Sequence, residues 1–336
     1  MSELTINNEQ ATTSRRDKLV YFLINQKSLF LLILLCIGAQ IASSGLFMTG
    51  SNISSVIRQT SVTCLMALGF TCVLSCGNLD LSVGHMLSLL SMSYVMLAGK
   101  LPLSIAIFLT ICVGIGCGFI NGFLAIKLGL IPFVLTLATA QIWRGIAYLL
   151  CNGISLPVSD KSMKFIGQGI VLGFIPMTAI IVFIMAVIIS VMIYRTKFGR
   201  HILATGGNAE AARVSGVNII KTKWSTLMIM GICNAVAAVV ISGRIGIAMP
   251  SVGDGMEMDA IAAVVIGGTT MSGGKANVFG SICGGLIMGI ISNLLNLAGV
   301  SSFWQWLAKG IIIIIAIYVD KRTEMFFNSA KRKGRN

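Results

Sequence analysis

Charged residues are scarce in this sequence. They make up 11% of its 336 residues, whereas an ordinary soluble domain contains about 25%. Residues of the types AVILMFWYC make up 56% and occur in long runs, without the period-2 or period-3.6 stripes of half-buried strands and helices. So little polar surface could not cover a soluble particle of this size. A soluble enzyme, a disordered protein and a secreted disulfide scaffold are therefore poor fits, and the sequence predicts a polytopic membrane protein.

The sequence also lacks the motifs of metal sites and of nucleotide hydrolysis. Its nine cysteines contain no Cys-x-x-Cys pair, and all but Cys151 lie inside apolar runs, which favours small buried side chains. His85 and His201 stand alone, and no His-Glu-x-x-His motif is present. The segment 268–275 resembles a P-loop, but its lysine comes one residue late and Ala276 replaces the Ser or Thr. We therefore expect no cofactor, no metal and no ATP site, so energy must come from another subunit.

Ten hydrophobic runs are candidates to cross a bilayer, which requires about 20 apolar residues. They lie at roughly 28–47, 53–76, 81–98, 103–126, 131–150, 174–194, 224–243, 258–271, 278–298 and 304–319. The connections between them are short, and a bundle of packed helices satisfies the backbone in lipid. The sequence therefore predicts an all-α, polytopic membrane helix bundle with about ten transmembrane helices.

The distribution of basic residues predicts the orientation. With the N-terminus inside, the cytoplasmic segments hold 18 of the 25 Lys and Arg residues and the outer loops hold four. By the positive-inside rule, this asymmetry predicts that both termini are cytoplasmic. The net charge of +14 then reports orientation and not a nucleic-acid partner. The predicted units are a cytoplasmic tail at 1–27, a transmembrane domain at 28–319 with a cytoplasmic loop at 195–223, and a basic cytoplasmic tail at 320–336.

The cytoplasmic loop 195–223 contains a candidate docking helix. Glu210–Ala212 are followed, after three residues, by Gly216. A helix over Asn208–Ser215 would end at this glycine, and Gly206-Gly207 would let the chain turn sharply before the helix. Its small alanines would allow it to dock into a groove on another protein. The alternative is a basic loop that only obeys the positive-inside rule.

The sequence of this loop and several strings elsewhere in the chain resemble those of a known family. The Glu-Ala-Ala-x-x-x-Gly motif matches the core of the loop by which ABC importer permeases dock on their ATPase subunit. Longer strings are similar to the ribose/galactose/xylose permease family, and most of all to its ribose-type members. They lie at 196–218, 78–84, 258–269 with 272–274, and 299–302. Two features depart from the pattern: the Ile-x-Leu-Pro ending of the general loop is absent, and Asn78 stands where a Gly-Ile or Gly-Thr step is common before the Asp-Leu-Ser.

The resemblance implies the permease subunit of a binding-protein-dependent importer in a bacterial inner membrane. Its implied partners are an ATP-binding cassette subunit docking at 199–217, a periplasmic sugar-binding protein, a second permease copy and the surrounding lipid. The implied cargo is a monosaccharide, ribose or a related sugar, carried by alternating access. The residues expected to couple this chain to the ATPase are Gly206, Asn208, Glu210, Ala211, Ala212 and Gly216.

Several polar residues inside or beside the spans are candidates for the translocation path. Asp80 opens the third span and Asp259 the eighth, where a carboxylate can simply cap a helix. Ionisable groups near lipid are usually functional, which favours a role in the path. Amide and guanidinium groups could bond the hydroxyls of a sugar, but many such groups only join neighbouring helices. The candidate path residues are Asp80, Asn121, Gln141, Arg144, Asp259 and Asn293.

A short similarity suggests an internal repeat. Gly118–Gly122 in the fourth span resembles Gly285–Gly289 in the ninth. If spans 2–5 correspond to spans 7–10, the two halves cross the membrane in opposite directions, as in the inverted repeats of transporters. Close helix packing at small residues would produce the same glycine pattern.

Other functions remain open from the sequence. An importer of the same type could carry a nucleoside, an inositol or a furanosyl signalling molecule. A secondary transporter driven by an ion gradient could use Asp80 and Asp259 as proton carriers. An intramembrane enzyme is disfavoured because no catalytic constellation is apparent.

Overall fold

The structure is a computed structural model that describes residues 27–301, 303–312, 314, 315 and 318. Most of these residues are helical, in agreement with the all-α prediction. The helices are α1 Lys27–Ala42, α2 Gly50–Ser75, α3 Val83–Ala98, α4 Leu103–Gly122, α5 Pro132–Cys151, α6 Lys161–Gln168, α7 Met177–Arg195, α8 Lys197–Gly207, α9 Ala209–Val214, α10 Ile219–Ile245, α11 Met256–Ile266 and α12 Val278–Leu297. Residues 303–312 form a further helix, α13, and a π-helical turn at Phe123–Lys127 extends α4.

Six helices within the described residues are long and apolar enough to cross a membrane: α2, α4 with its π-helical turn, α5, α7, α10 and α12. The apolar helices α1 and α3 have 16 residues each, and α11 has 11. The prediction of a helical multi-pass membrane protein is confirmed, whereas the count of ten spans stays a prediction. The predicted tail 320–336, the tail 1–27 apart from Lys27, and part of the tenth predicted span lie outside the described residues.

The eighth predicted span, 258–271, is only partly helical. α11 ends at Ile266, and Gly268 follows with a φ of +86°, a left-handed conformation that glycine adopts readily. The next helix begins after Asn277, whose side chain accepts a hydrogen bond from the N–H of Gly280 at 2.9 Å. The intervening residues form a connection, so apolar composition alone overestimated the length of this helix.

Two short antiparallel ladders lie beside the helices. β1, Leu156–Pro157, pairs with β4, Ile247–Ala248, and β2, Ile170–Val171, pairs with β3, Ile175–Pro176. The first ladder joins the connection after α5 to the connection after α10, so both connections lie at the same end of the bundle. No strand was predicted, because two-residue strands have no detectable sequence period.

The start of α3 lies inside the bundle. After α2 the chain continues without helix over 76–82 and enters α3 at Val83. The carbonyl oxygen of Val83 accepts a hydrogen bond from Asn234 Nδ2 at 2.8 Å. Because Asn234 lies near the middle of α10, α3 begins at an intermediate depth in the bundle and not at its end.

The start of α11 meets the start of α3. After α10 the chain returns over 246–255, where the N–H of Gly253 donates a hydrogen bond to Ser88 Oγ at 3.1 Å. A Cβ on Gly253 would lie 1.8 Å from the carbonyl oxygen of Gly84, so these backbones are in direct contact. Two broken helices therefore begin side by side inside the protein.

Glycines allow the long helices to pack closely on either side of these breaks. A Cβ on Gly114 of α4 would lie 2.4 Å from the carbonyl oxygen of Gly231 in α10. A Cβ on Gly285 of α12 would lie 2.6 Å from Cys64 Sγ in α2, and one on Gly289 would lie 1.8 Å from Thr60. These small residues bring helix backbones together as in other membrane bundles.

The contact between α4 and α10 predicts different effects for two neighbouring glycines. Gly114→Ala should destabilise the detergent-solubilised protein by about 1–3 kcal/mol, because the added methyl group overpacks a backbone contact. Gly116→Ala is the matched control, since no atom lies within 4 Å of its Cβ position and Ala favours helix over Gly. Thermal denaturation followed by size-exclusion chromatography checks the difference. Equal melting temperatures for the two variants would contradict this account of the packing.

Candidate functional site

The predicted docking helix is present as α9. Asn208 is its N-cap, and Asn208 Oδ1 accepts a hydrogen bond from the N–H of Ala211 at 2.9 Å. Gly216 has a φ of +84°, and its N–H donates to the carbonyl of Arg213 while the N–H of Val217 donates to that of Ala212, both at 3.0 Å. This pair of hydrogen bonds is the Schellman arrangement that ends a helix at a left-handed glycine. Local capping chemistry therefore sets both ends of α9.

One face of α9 is open to solvent. Ala212 is buried, whereas Glu210, Ala211 and Val214 are exposed, Val214 to 79%. Glu210 accepts hydrogen bonds from Arg213, whose Nε lies 3.1 Å from Oε2. This contact lowers the pKa of the Glu210 carboxyl, so the carboxylate stays ionised at neutral pH. α9 therefore presents a carboxylate beside small and apolar side chains, and the sequence reasoning had not singled out Val214.

Gly206 has a different structural role from the one predicted. Gly206 and Gly207 are the last residues of α8 and make no sharp turn, because helix geometry continues to Gly207. A Cβ on Gly206 would lie 1.9 Å from the carbonyl oxygen of Ser75, at the end of α2, and 2.6 Å from the backbone nitrogen of Gly274. The N–H of Gly274 also donates to the Ser75 carbonyl at 2.9 Å. We call this contact of Ser75, Gly206 and Gly274 the backbone junction; it joins α2, α8 and the connection after α11.

Asp80 and Asn121 form one buried cluster with Ser82. Asp80 Oδ1 accepts hydrogen bonds from the Ser82 N–H at 2.9 Å and from Ser82 Oγ at 2.7 Å. Asn121 Nδ2 of α4 donates to Asp80 Oδ2 at 3.2 Å and to Ser82 Oγ at 2.8 Å. All three side chains are fully buried. The cluster fixes the non-helical entry into α3 against α4.

Asn293 and Gln141 lie apart from that cluster. Asn293 of α12 exchanges two amide hydrogen bonds with Asn52 of α2, at 3.1 and 2.9 Å, so its polar groups join two helices. Gln141 is exposed on α5. The structure therefore does not bring the six predicted path residues together into one site.

Arg144 and Asp259 instead meet polar residues around the start of α11. Arg144 Nη2 of α5 lies 3.9 Å from Asp254 Oδ2, and His85 Nδ1 of α3 lies 3.2 Å from Asp254 Oδ1. Asp259 Oδ2 accepts a hydrogen bond from Lys309 Nζ of α13 at 2.6 Å. Carboxylates beside the first turn of α11 are favoured by the positive end of its helix dipole.

A cavity of about 320 Å³ lies between these residues and α13. We call it the α11 cleft; it is lined by Asp254, Gly255, Met256, Met258, Asp259, Trp306, Lys309 and Gly310. Sequence reasoning missed Asp254 and Trp306 and set aside His85 as a lone histidine. Asp254 has a detectable signal, since it stands five residues before Asp259 in a glycine-rich stretch. Only the fold brings Asp254 close to His85, Arg144 and Trp306, which are distant in the sequence.

Comparison with known proteins gives consistent matches. A family described as "Branched-chain amino acid transport system / permease component" matches residues 52–317. The ribose import permease protein RbsC of Bacillus subtilis is 38% identical over 282 residues, covering 82% of this chain and 86% of the relative. RbsC of Escherichia coli K12 is 34% identical over 321 residues, 94% of this chain and 99% of the relative. The xylose transport system permease protein XylH of Haemophilus influenzae is 31% identical over 343 residues, 83% of this chain and 91% of the relative. No solved structure matches the chain.

Proposed function

The chain belongs to the branched-chain amino acid transport system / permease component family, and from that premise we propose that it imports a monosaccharide as the permease subunit of a binding-protein-dependent ABC importer. The observation that carries the proposal is the similarity over most of the chain to ribose and xylose permeases. Ribose or a related pentose is the proposed cargo. The proposed location is a bacterial inner membrane, with both termini, 1–27 and 320–336, in the cytoplasm and the membrane domain at 28–319.

The proposed ATPase contact is α9, within the cytoplasmic loop 195–223. Its exposed face supports this role, because Val214 is an apolar side chain left in solvent beside an ionised carboxylate. A helix of this kind suits a groove on a partner. The residues proposed to couple the two subunits are Gly206, Asn208, Glu210, Ala211, Ala212 and Gly216. A separate ATP-binding cassette subunit, a periplasmic sugar-binding protein and a second copy of this chain complete the proposed importer.

We also propose that the membrane domain is an inverted repeat of α2–α5 and α10–α13. Three observations support it. First, α2 and α10 are each followed by a non-helical segment and then by a helix that begins inside the bundle. Second, α4 packs on α10 as α12 packs on α2, and third, Gly118 and Gly122 lie at the first of these contacts as Gly285 and Gly289 lie at the second. Transporters built on such repeats bind cargo near the broken helices.

An ion-coupled secondary transporter has less support. Its proposed proton carriers were Asp80 and Asp259. Asp80 is fully buried and receives hydrogen bonds from Ser82 and Asn121, while Asp259 is paired with Lys309. Both carboxylates therefore have hydrogen-bond or ion-pair partners within the protein, which explains their presence as structural groups without a role in ion coupling.

Reconstitution tests the proposed function. Proteoliposomes that contain this chain, its ATPase and a sugar-loaded binding protein should accumulate ribose or xylose when ATP is supplied. Liposomes with this chain alone should accumulate neither sugar under a proton or sodium gradient. Sugar accumulation by the chain alone would overturn the ABC importer assignment.

A further inference from the structure

The α11 cleft has a composition that suits a neutral polyhydroxy ligand. It combines two carboxylates, an ammonium group and an indole ring within about 320 Å³, a size typical of small-molecule sites. Trp306 is 68% exposed, so its ring is available on the wall of the cleft. Asp254 and Asp259 can accept hydrogen bonds from hydroxyl groups, and Lys309 can donate them. An aromatic ring offers a flat surface for the apolar face of a sugar ring.

The charges of the cleft are already compensated. Asp259 is paired with Lys309 at 2.6 Å, and Asp254 lies 3.9 Å from Arg144. An ionic ligand would have to separate a partly buried pair and leave one charge unpaired, which is costly. A neutral ligand can use the remaining lone pairs and N–H groups while both pairs stay intact. The pairing therefore favours a polyol over an amino acid or an inorganic ion.

Three of the other predicted path residues, Asp80, Asn121 and Asn293, are not available to a ligand in the same way. Asp80 and Asn121 are fully buried in their own hydrogen-bonded cluster, and the Asn293 amide is bonded to Asn52. The α11 cleft differs because its polar side chains are open to a ligand: the side chain of Asp254 is 43% exposed, and Trp306 is 68% exposed. It also lies at the start of α11, a helix that begins inside the bundle.

We infer that a neutral monosaccharide contacts this chain in the α11 cleft during translocation, with its hydroxyl groups bonded to Asp254, Asp259 and Lys309 and its apolar face stacked on Trp306. The inference rests on the proposed function and adds the contact residues. Since the charged groups of the cleft already have partners, the sugar supplements their hydrogen bonds and does not replace missing ones. Contact is therefore weak, which suits a path from which the cargo must leave.

The test uses the assembled importer in proteoliposomes, with radiolabelled ribose and xylose as probes. Trp306→Leu and Asp254→Asn are expected to slow ATP-driven uptake of the transported sugar about tenfold, the equivalent of one stacking contact or one strong hydrogen bond. Stimulation of ATPase activity by sugar-loaded binding protein should change by less than about twofold, because the contact acts on cargo and not on coupling. Trp304→Leu is the matched control on the same helix: Trp304 is 64% exposed and does not line the cleft.

The outcomes separate the two levels of the proposal. If the wild-type importer takes up sugar and the Trp306→Leu and Trp304→Leu variants have equal uptake rates, the proposal that sugar contacts the α11 cleft is wrong, while the importer assignment stands. A parallel loss of ATPase stimulation in Trp306→Leu would also overturn it, since the residue would then act in folding or coupling. Wild-type proteoliposomes that take up a branched-chain amino acid but neither sugar would overturn the proposed function itself.

Discussion

Glu210→Lys is expected to abolish co-purification of the ATPase subunit and ATP-driven uptake, while the amount of chain inserted in the membrane stays unchanged. Glu210 is exposed on α9, and its ion pair with Arg213 is exposed as well. Surface ion pairs contribute little to folding, so the substitution leaves the fold intact. It inverts the charge of an exposed side chain on the proposed docking face, and a reversed charge at an interface opposes association. Affinity purification of the tagged chain followed by immunoblotting for the ATPase gives the measurement.

A double substitution distinguishes a partner contact from a local role. Glu210→Arg combined with Arg213→Glu restores an ion pair between the same positions of α9 but keeps a positive charge where the carboxylate was. If Glu210 binds the ATPase, the double variant should fail to bind as completely as Glu210→Lys. Rescue of ATPase binding by the double variant would mean that Glu210 only stabilises α9, and the docking assignment would be wrong.

Gly206→Ala is expected to have the second large effect, a loss of most transport activity with α9 itself unchanged. The added methyl group would lie 1.9 Å from the carbonyl oxygen of Ser75, so α8 must move away from the end of α2. Overpacking of this kind costs about 1–3 kcal/mol. The movement also breaks the backbone junction, which connects α8, and through α8 the proposed docking helix α9, to the connection after α11. Uptake assays and thermal denaturation of the solubilised chain measure the two consequences.

Gly207→Ala is the matched control for the backbone junction. Gly207 is the next residue of α8, and its Cβ position has Gly274 Cα at 3.8 Å as its nearest neighbour, an ordinary contact distance. This variant should transport at the wild-type rate and melt at the wild-type temperature or above it, because Ala favours helix. If Gly206→Ala and Gly207→Ala behaved alike, the junction would have no part in transport.

Local chemistry made α9 predictable from the sequence. Asn at the N-cap and Gly216 after the last turn each act through hydrogen bonds to residues no more than five positions away, so their pattern is visible in a short window. The same holds for the apolar runs, whose composition reports lipid burial directly. The turn expected at Gly206 was wrong because the need for glycine there is tertiary: a Cβ would meet the carbonyl oxygen of Ser75, on another helix.

The polar sites were harder to predict for the same physical reason. Asn293 was a reasonable path candidate by residue type, but its partner Asn52 is 241 positions away, and no sequence period links them. The α11 cleft brings Asp254 and Asp259 together with Lys309 of another helix, and Arg144 of a third helix lies 3.9 Å from Asp254. Each residue looks ordinary alone, and only the broken helix brings them to one place.

We propose that this chain is a conduit for sugar and that a separate ATPase supplies the energy. Sugar accumulation is measured in proteoliposomes assembled with and without the ATPase subunit. Sugar-loaded binding protein is present, and ATP is supplied on the side of the membrane that carries the ATPase. Sugar accumulation is expected to require both the ATPase and ATP, and Glu210→Lys is expected to abolish it. Accumulation of sugar by this chain without the ATPase, driven by an ion gradient, would contradict it.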